Sequence, residues 1–130
     1  AADEMVRWVH PVKHFMRTAA RDYTLASGQT IREGEALLLA LPSGCRDEAV
    51  FKDPFSFQID RKPNPHVGFG IGAHVCLGQH LARLELATFL EVLLSRLEEV
   101  KLDAEPVESS TLFLHNVDHM PVRYRLKQAA

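Results

Sequence analysis

Residues 69–83 read FGIGAHVCLGQHLAR, with three glycines, two histidines and Cys76 in one short stretch. A thiolate is a strong, soft metal ligand once it is deprotonated. Cys76 stands where a glycine-rich loop gives way to an apolar, helix-forming run. There the free backbone N–H groups and the positive end of the helix dipole favour an anion. Gly70, Gly72 and Gly78 permit unusual backbone angles and let a flat ligand approach the main chain. Amides donating to the sulfur would tune its electron donation. The chemistry expected is a thiolate presented to a metal in a tight, amide-rich loop.

Two plainer readings stand beside it. A lone cysteine is usually a small buried hydrophobe, and Cys45 is read that way. A zinc site could draw on His66, His74, Cys76 and His80, but the stretch lacks the paired C-x-x-C or H-x-x-x-H spacing of structural zinc.

The elements around this loop are legible in outline. AADEMVRW has good helix formers, and Pro11 stops the helix. Residues 22–41 read as strands broken at Ser27-Gly28 and Glu33-Gly34. RDEAVF, 46–51, reads as a short helix. Pro54, Pro63 and Pro65 make residues 52–68 an irregular meander. A long helix is predicted over 78–97, and residues 110–126 read as two strands around a turn near Asn116–Met120. On that helix Leu77, Leu81, Leu84, Leu86, Phe89, Leu90 and Leu94 point to nearly every side, where a surface helix shows one apolar stripe. It calls for neighbours all round, more than the short strands and loops here supply.

Composition bounds the function. The chain has 130 residues, 46% apolar and 25% charged, with a net charge of −2. That is a globular profile with no nucleic-acid signal. No apolar run has the length of a membrane span, and the start lacks a signal-peptide pattern. Two cysteines are too few for a disulfide framework, so a cytoplasmic location is expected.

Phe69, Gly72, His74, Cys76 and Gly78, continued by CLGQHLARLE, resemble the haem-binding signature of the cytochrome P-450 superfamily. Glu4-Met5-Val6-Arg7 is similar to that family's helical E-x-x-R motif. PVKHFMRTA and PNPHVGFGIGAHVCLGQHLA resemble its soluble bacterial, terpineol-hydroxylase-like members. The resemblance implies that residues 1–130 are about the C-terminal third of a mainly-α catalytic domain whose N-terminal part is absent. This piece is then α+β, with one long buried helix after the cysteine loop, short antiparallel strands and an irregular meander.

The resemblance also implies haem b as cofactor, with Cys76 as axial ligand and Phe69, Gly70, His74 and Gly78 around it. Arg17, His66 and His74 would meet the propionates. Glu4 and Arg7, which on a surface would be worth about 0.2–0.5 kcal/mol, would form a buried lock. An arginine of the meander usually completes it, and in DPFSF that place is held by Ser56. Val12, Phe15, Phe113 and Leu114 would touch a small apolar substrate such as a terpenoid or aromatic. The implied activity is monooxygenation with O2 and two electrons from a ferredoxin-type donor. These residues hold no acid-plus-threonine proton-delivery segment. The chain alone is therefore expected not to turn over, and to self-associate or depend on the absent part. The alternative is a standalone haem- or metal-binding module without catalysis.

Overall fold

The computed structural model describes residues 1–127. Helix α1, Ala2–Val9, carries Asp3 and Glu4 in its first turn and Arg7 in its last, matching the sign of the dipole at each end. His10 closes it in the left-handed region at φ 38°, its N–H bonded to the Val6 carbonyl, and Pro11 follows. Strand β1, His14–Thr18, pairs antiparallel with β4, Ala36–Ala40, in the register His14↔Ala40 to Thr18↔Ala36. Between them β2, Tyr23–Thr24, and β3, Thr30–Ile31, form a small hairpin turned at Ser27-Gly28.

A one-turn helix, α2, Leu41–Gly44, begins directly after β4, with Pro42 in its first turn, where a missing N–H costs nothing. Residues 46–51, expected as a helix, are turns instead. Asp47 accepts from the backbone N–H of Ala49 through its side chain, and its own carbonyl accepts from Val50 and Phe51. Such local bonds compete with helix formation.

Helix α3, Gln79–Arg96, runs straight into β5, Leu97–Leu102. Strand β5 pairs with β8, Val122–Leu126, and β6, Val107–Glu108, pairs with β7, Val117–His119. Of the two strands expected around a turn near Asn116–Met120, the second exists as β8, whereas the first does not form and β7 occupies the expected turn; β7 and β8 each pair with an earlier strand rather than with the other. Residues 110–113 lie outside any strand.

The buried core is small and partly charged. Val6, Leu41, Cys45 and Phe51 surround Glu4 and Arg7, which are 1% and 0% exposed. Burial of this pair is tolerable only because every polar group finds a partner. Arg7 donates Nε and Nη2 to the Glu4 carboxylate at 2.8 and 2.7 Å, and its remaining N–H groups to the carbonyls of Cys45, Pro54 and Ser56. The third member is Arg61. Its Nε lies 3.2 Å from both Glu4 oxygens, and its Nη atoms donate to the carbonyls of Lys52, Asp53 and Ser56. Ser56 thus supplies a carbonyl, and the meander's arginine stands five residues later. Burial opposes the Glu4 charge, but Arg7, the Gln58 N–H and Arg61 outweigh it and bring the carboxyl down to about 2.

The long helix departs from its expected setting. No residue of α3 is buried, and Leu81, Leu84, Phe89 and Leu94 are each about 60% exposed. A folded monomer of this mass exposes about 6,900 Å², whereas this chain exposes 10054 Å². Described residues pack against the first turns of α3, as where Arg83 meets Asp3, but leave most of its apolar surface uncovered.

Two outcomes follow from this packing. Arg61→Met should destabilise by about 1.5–3 kcal/mol through lost charge-assisted bonds, while Ser56→Arg should give no gain, both read as denaturant midpoints. A stabilised Ser56→Arg would show the lock to be incomplete. The 130-residue chain produced alone should self-associate through its apolar faces; a monodisperse monomer by light scattering would contradict this.

Candidate functional site

The cysteine loop hangs from α1. Gly68 passes so close to the helix that a Cβ there would lie 2.8 Å from Val6 Cγ1, so a side chain would push the loop away. Gly70, at φ +73°, then turns the chain back in a conformation that disfavours any residue with a Cβ. The Gly70 N–H bonds the Val67 carbonyl at 2.8 Å, and the Cys76 N–H bonds the Phe69 carbonyl at 2.8 Å. A short 3-10 turn, Gly72–His74, fills the loop. Gly78, at φ −82°, is the N-cap of α3 and does not use its conformational freedom. A Cβ there would sit 4.0 Å from Cys76 Sγ, an ordinary contact, so the fold of this chain does not itself require glycine at this position.

Cys76 is exposed and Cys45 is buried, as their sequence settings suggested. Burial pushes the Cys45 thiol up, against the pull of the Val67 N–H and of Arg7 and Arg46, which keeps it protonated. Among the described residues none of the hydrogen bonds ends on Cys76 Sγ, so the expected donation by loop amides is not formed.

The sulfur opens into an apolar concavity of about 450 Å³, whose walls include Val6, Val12, Phe15, Phe69 and Leu86 beside His74. His74 also borders an adjoining concavity of about 320 Å³ with Phe15, Arg17, Gly70 and Ile71. Arg17 lies in β1, its guanidinium 5.7 Å from the Phe15 ring and, among the described residues, bonded only to the Met16 carbonyl. Cys76, His74, Arg17, Phe69, Gly70, Val12 and Phe15 are thereby brought to two adjoining hollows.

His66 is placed elsewhere. Its side chain is 2% exposed, its Nδ1 accepts the Gly68 N–H at 3.2 Å, and its Nε2 faces Asp3 Oδ1 at 3.2 Å. An accepting Nδ1 fixes the proton on Nε2, which donates to Asp3. With both ring nitrogens used inside the chain, the expected propionate role of His66 gives way to a structural one.

Sequence reasoning missed the other half of this joint. Arg83, in the first turns of α3, donates Nε to Asp3 Oδ1 at 2.6 Å and lies 4.7 Å over the Phe69 ring. Asp3 therefore ties α1, His66 and α3 together. Desolvation works against its charge, but Arg83 and His66 outweigh it and hold the carboxyl below the usual range. The only signal available was an arginine in the helix after the cysteine, which could as well have faced solvent.

The four apolar residues expected to contact a substrate meet in pairs. Val12 bridges Leu114, and the Phe15 and Phe113 rings meet edge to face at 6.1 Å. Val12 and Phe15 line the cysteine concavity, whereas Phe113 and Leu114 touch them from outside its lining. The zinc reading fails on geometry. Among the described residues no three His, Cys, Asp or Glu side chains approach closely enough to hold a metal ion.

A single soft sulfur donor, apolar walls and a cationic side chain along one rim suit a flat, largely apolar metallocofactor carrying acidic groups. The comparisons agree with that class. The sequence profile described as Cytochrome P450 matches residues 1–121, and the chain belongs to this family, whose members are haem proteins. It is 50% identical over 122 residues to Cytochrome P450-terp of a Pseudomonas species, covering 94% of this chain and 28% of that protein. It is 43% identical over 125 residues to Steroid C26-monooxygenase of Mycobacterium bovis, covering 95% of this chain and 29% of that protein.

Among solved structures, P450 OxyD, involved in the biosynthesis of vancomycin-type antibiotics, superposes with a TM-score of 0.91 at 37% identity, over 97% of this chain and 32% of that one. CYP108D1 from Novosphingobium aromaticivorans gives 0.90 at 42%, over 96% and 30%. The chain thus spans under a third of the length of these relatives. Among the described residues no helix is long and apolar enough to cross a membrane.

Proposed function

We propose that residues 1–130 form the C-terminal, haem-binding portion of a larger catalytic domain, and that the intact protein is a haem-thiolate monooxygenase. The observation that carries this reading is the exposed Cys76 sulfur at an apolar concavity with His74 and Arg17 beside it. Haem b held there would supply the redox chemistry of monooxygenation, in which O2, two electrons from a ferredoxin-type donor and two protons convert a C–H bond to C–OH and release one water.

The chain's own residues do the rest. Cys76 as a thiolate would hold the haem iron, and its electron donation would favour the group's oxygen chemistry. Arg17 can fork its donors to a propionate, and His74 can add a hydrogen bond to the same edge. Phe69, held by Arg83, is an apolar wall beside the sulfur. Gly70, by its left-handed turn, sets the path of the loop past the sulfur, and Gly78 opens the helix that follows it. Val12 and Phe15, backed by Leu114 and Phe113, favour a small apolar substrate such as a terpenoid or an aromatic. The identities with Cytochrome P450-terp and with a steroid monooxygenase support an apolar substrate class. A cytoplasmic location accords with two free thiols.

For the 130 residues alone, the exposed Cys76 favours the second reading, haem binding without turnover. Water with free access quenches an oxidant and prevents ordered substrate binding.

In the full-length protein, Cys76→Ser should abolish the thiolate-type ferrous–CO spectrum, because a neutral hydroxyl replaces an anionic sulfur. Cys45→Ser should leave it intact. A thiolate-type spectrum retained in Cys76→Ser would overturn the axial assignment.

A further inference from the structure

Lys13 lies between Val12 and Phe15, two of the apolar residues lining the cysteine concavity, yet its own side chain is not part of that lining and reaches Thr111 instead. Its ammonium donates to the Thr111 carbonyl at 2.7 Å and forms no ion pair among the described residues. A half-buried cation without a carboxylate is an uneconomical choice unless the hydrogen bond itself matters. The bond reaches 98 residues along the chain to a loop that has no strand to hold it.

Backbone bonds, the Val12–Leu114 bridge and a His115 Nδ1 contact with the Val9 carbonyl at 3.0 Å hold the rest of that loop. Thr111 Oγ1 accepts the N–H groups of Phe113 and Leu114, each at 3.1 Å, which curls residues 111–114 into a turn. The Lys13 N–H bonds the Phe113 carbonyl at 2.9 Å, and the His115 N–H bonds the Pro11 carbonyl at 2.8 Å. The Lys13 carbonyl in turn accepts the Leu41 N–H at 3.1 Å, so its backbone is anchored on the opposite side. Lys13 is thus a fixed post. Its ammonium grips the start of the turn whose next residues bring Phe113 against Phe15 and Leu114 against Val12.

We propose that Lys13 is a positioning residue: its ammonium clasps the 111–114 turn and so sets where Phe113 and Leu114 stand against the apolar substrate wall. This rests on the reading that Val12 and Phe15 border the substrate space. Lys13 touches no reacting atom; it acts through the turn. Lys13→Met keeps the apolar stem and removes the donor, whereas Lys13→Arg keeps a donor of similar reach.

The test uses the haem-loaded, full-length protein with two readouts. The first is amide hydrogen exchange over residues 111–115. The second is spectroscopic titration with imidazole, which needs little room, and with 4-phenylimidazole, whose ring must pack against the apolar wall. In Lys13→Met the 111–115 amides should exchange roughly tenfold faster. Affinity for 4-phenylimidazole should fall by about the same factor with imidazole unchanged, and Lys13→Arg should restore both. Unchanged exchange in Lys13→Met overturns the clasp. Faster exchange with equal effects on the two azoles overturns its role in positioning the wall. If neither azole shifts the haem absorption of the unsubstituted protein, the haem reading has failed, and the exchange result still decides the clasp.

Discussion

A carboxylate with almost no access to water sits where the first helix meets the meander. Glu4 is held by Arg7 from its own helix and by the Gln58 N–H, Arg61 and Asn64 from the meander. Unpartnered, that charge would be prohibitive in the interior. Each partner is therefore compelled to its place, and the surrounding backbone is drawn in to satisfy the remaining guanidinium donors. Val6, two residues along the same helix, has Gly68 against it, and Asp3, one residue before, holds His66 and Arg83. The cysteine loop and the start of α3 are consequently referenced to the same helix that carries the buried ion pair. Electrostatic satisfaction takes much of the place that apolar packing has in an ordinary core.

The same geometry explains why the chain presents a site without enclosing it. The walls near Cys76 come from α1, β1, the loop and the first turns of α3, all tied to one side. The remainder of α3 and the β5–β8 ribbon show apolar side chains to solvent, among them Phe89, Val100, Val122 and Tyr124. Their exposure matches a chain that spans under a third of its relatives' length.

The sequence disclosed what depends on local spacing. Glu4 and Arg7 are three residues apart on a helix, the cysteine loop is a contiguous motif, and α3 is long enough for its composition to decide it. Contacts set by the return path of an irregular chain were hidden. Arg61 reaches Glu4 only because the proline-rich meander folds back, and no periodicity encodes that path. His66 read as a ligand-facing loop residue because its partner Asp3 is 63 residues away. Strand β1, with HFMRT showing no apolar alternation, is a strand by virtue of β4 beside it. The Asp47 turn shows the reverse case, where a side chain captures nearby N–H groups and a helix-like composition fails to become one.

The most direct test is the pH dependence of the stability lost in Glu4→Gln, measured in the full-length protein by denaturant unfolding. With the carboxyl lowered from 4.5 to about 2 in the folded state, the ionised lock contributes its full stability above about 4.5. That contribution is on the order of 3 kcal/mol. It is lost as pH falls from there toward about 2. The difference between the parent protein and Glu4→Gln should therefore be largest near neutrality and shrink progressively below pH 4.5. A difference that is the same at pH 7 and pH 3 would contradict the account, because the buried carboxylate would then not be what holds these elements together.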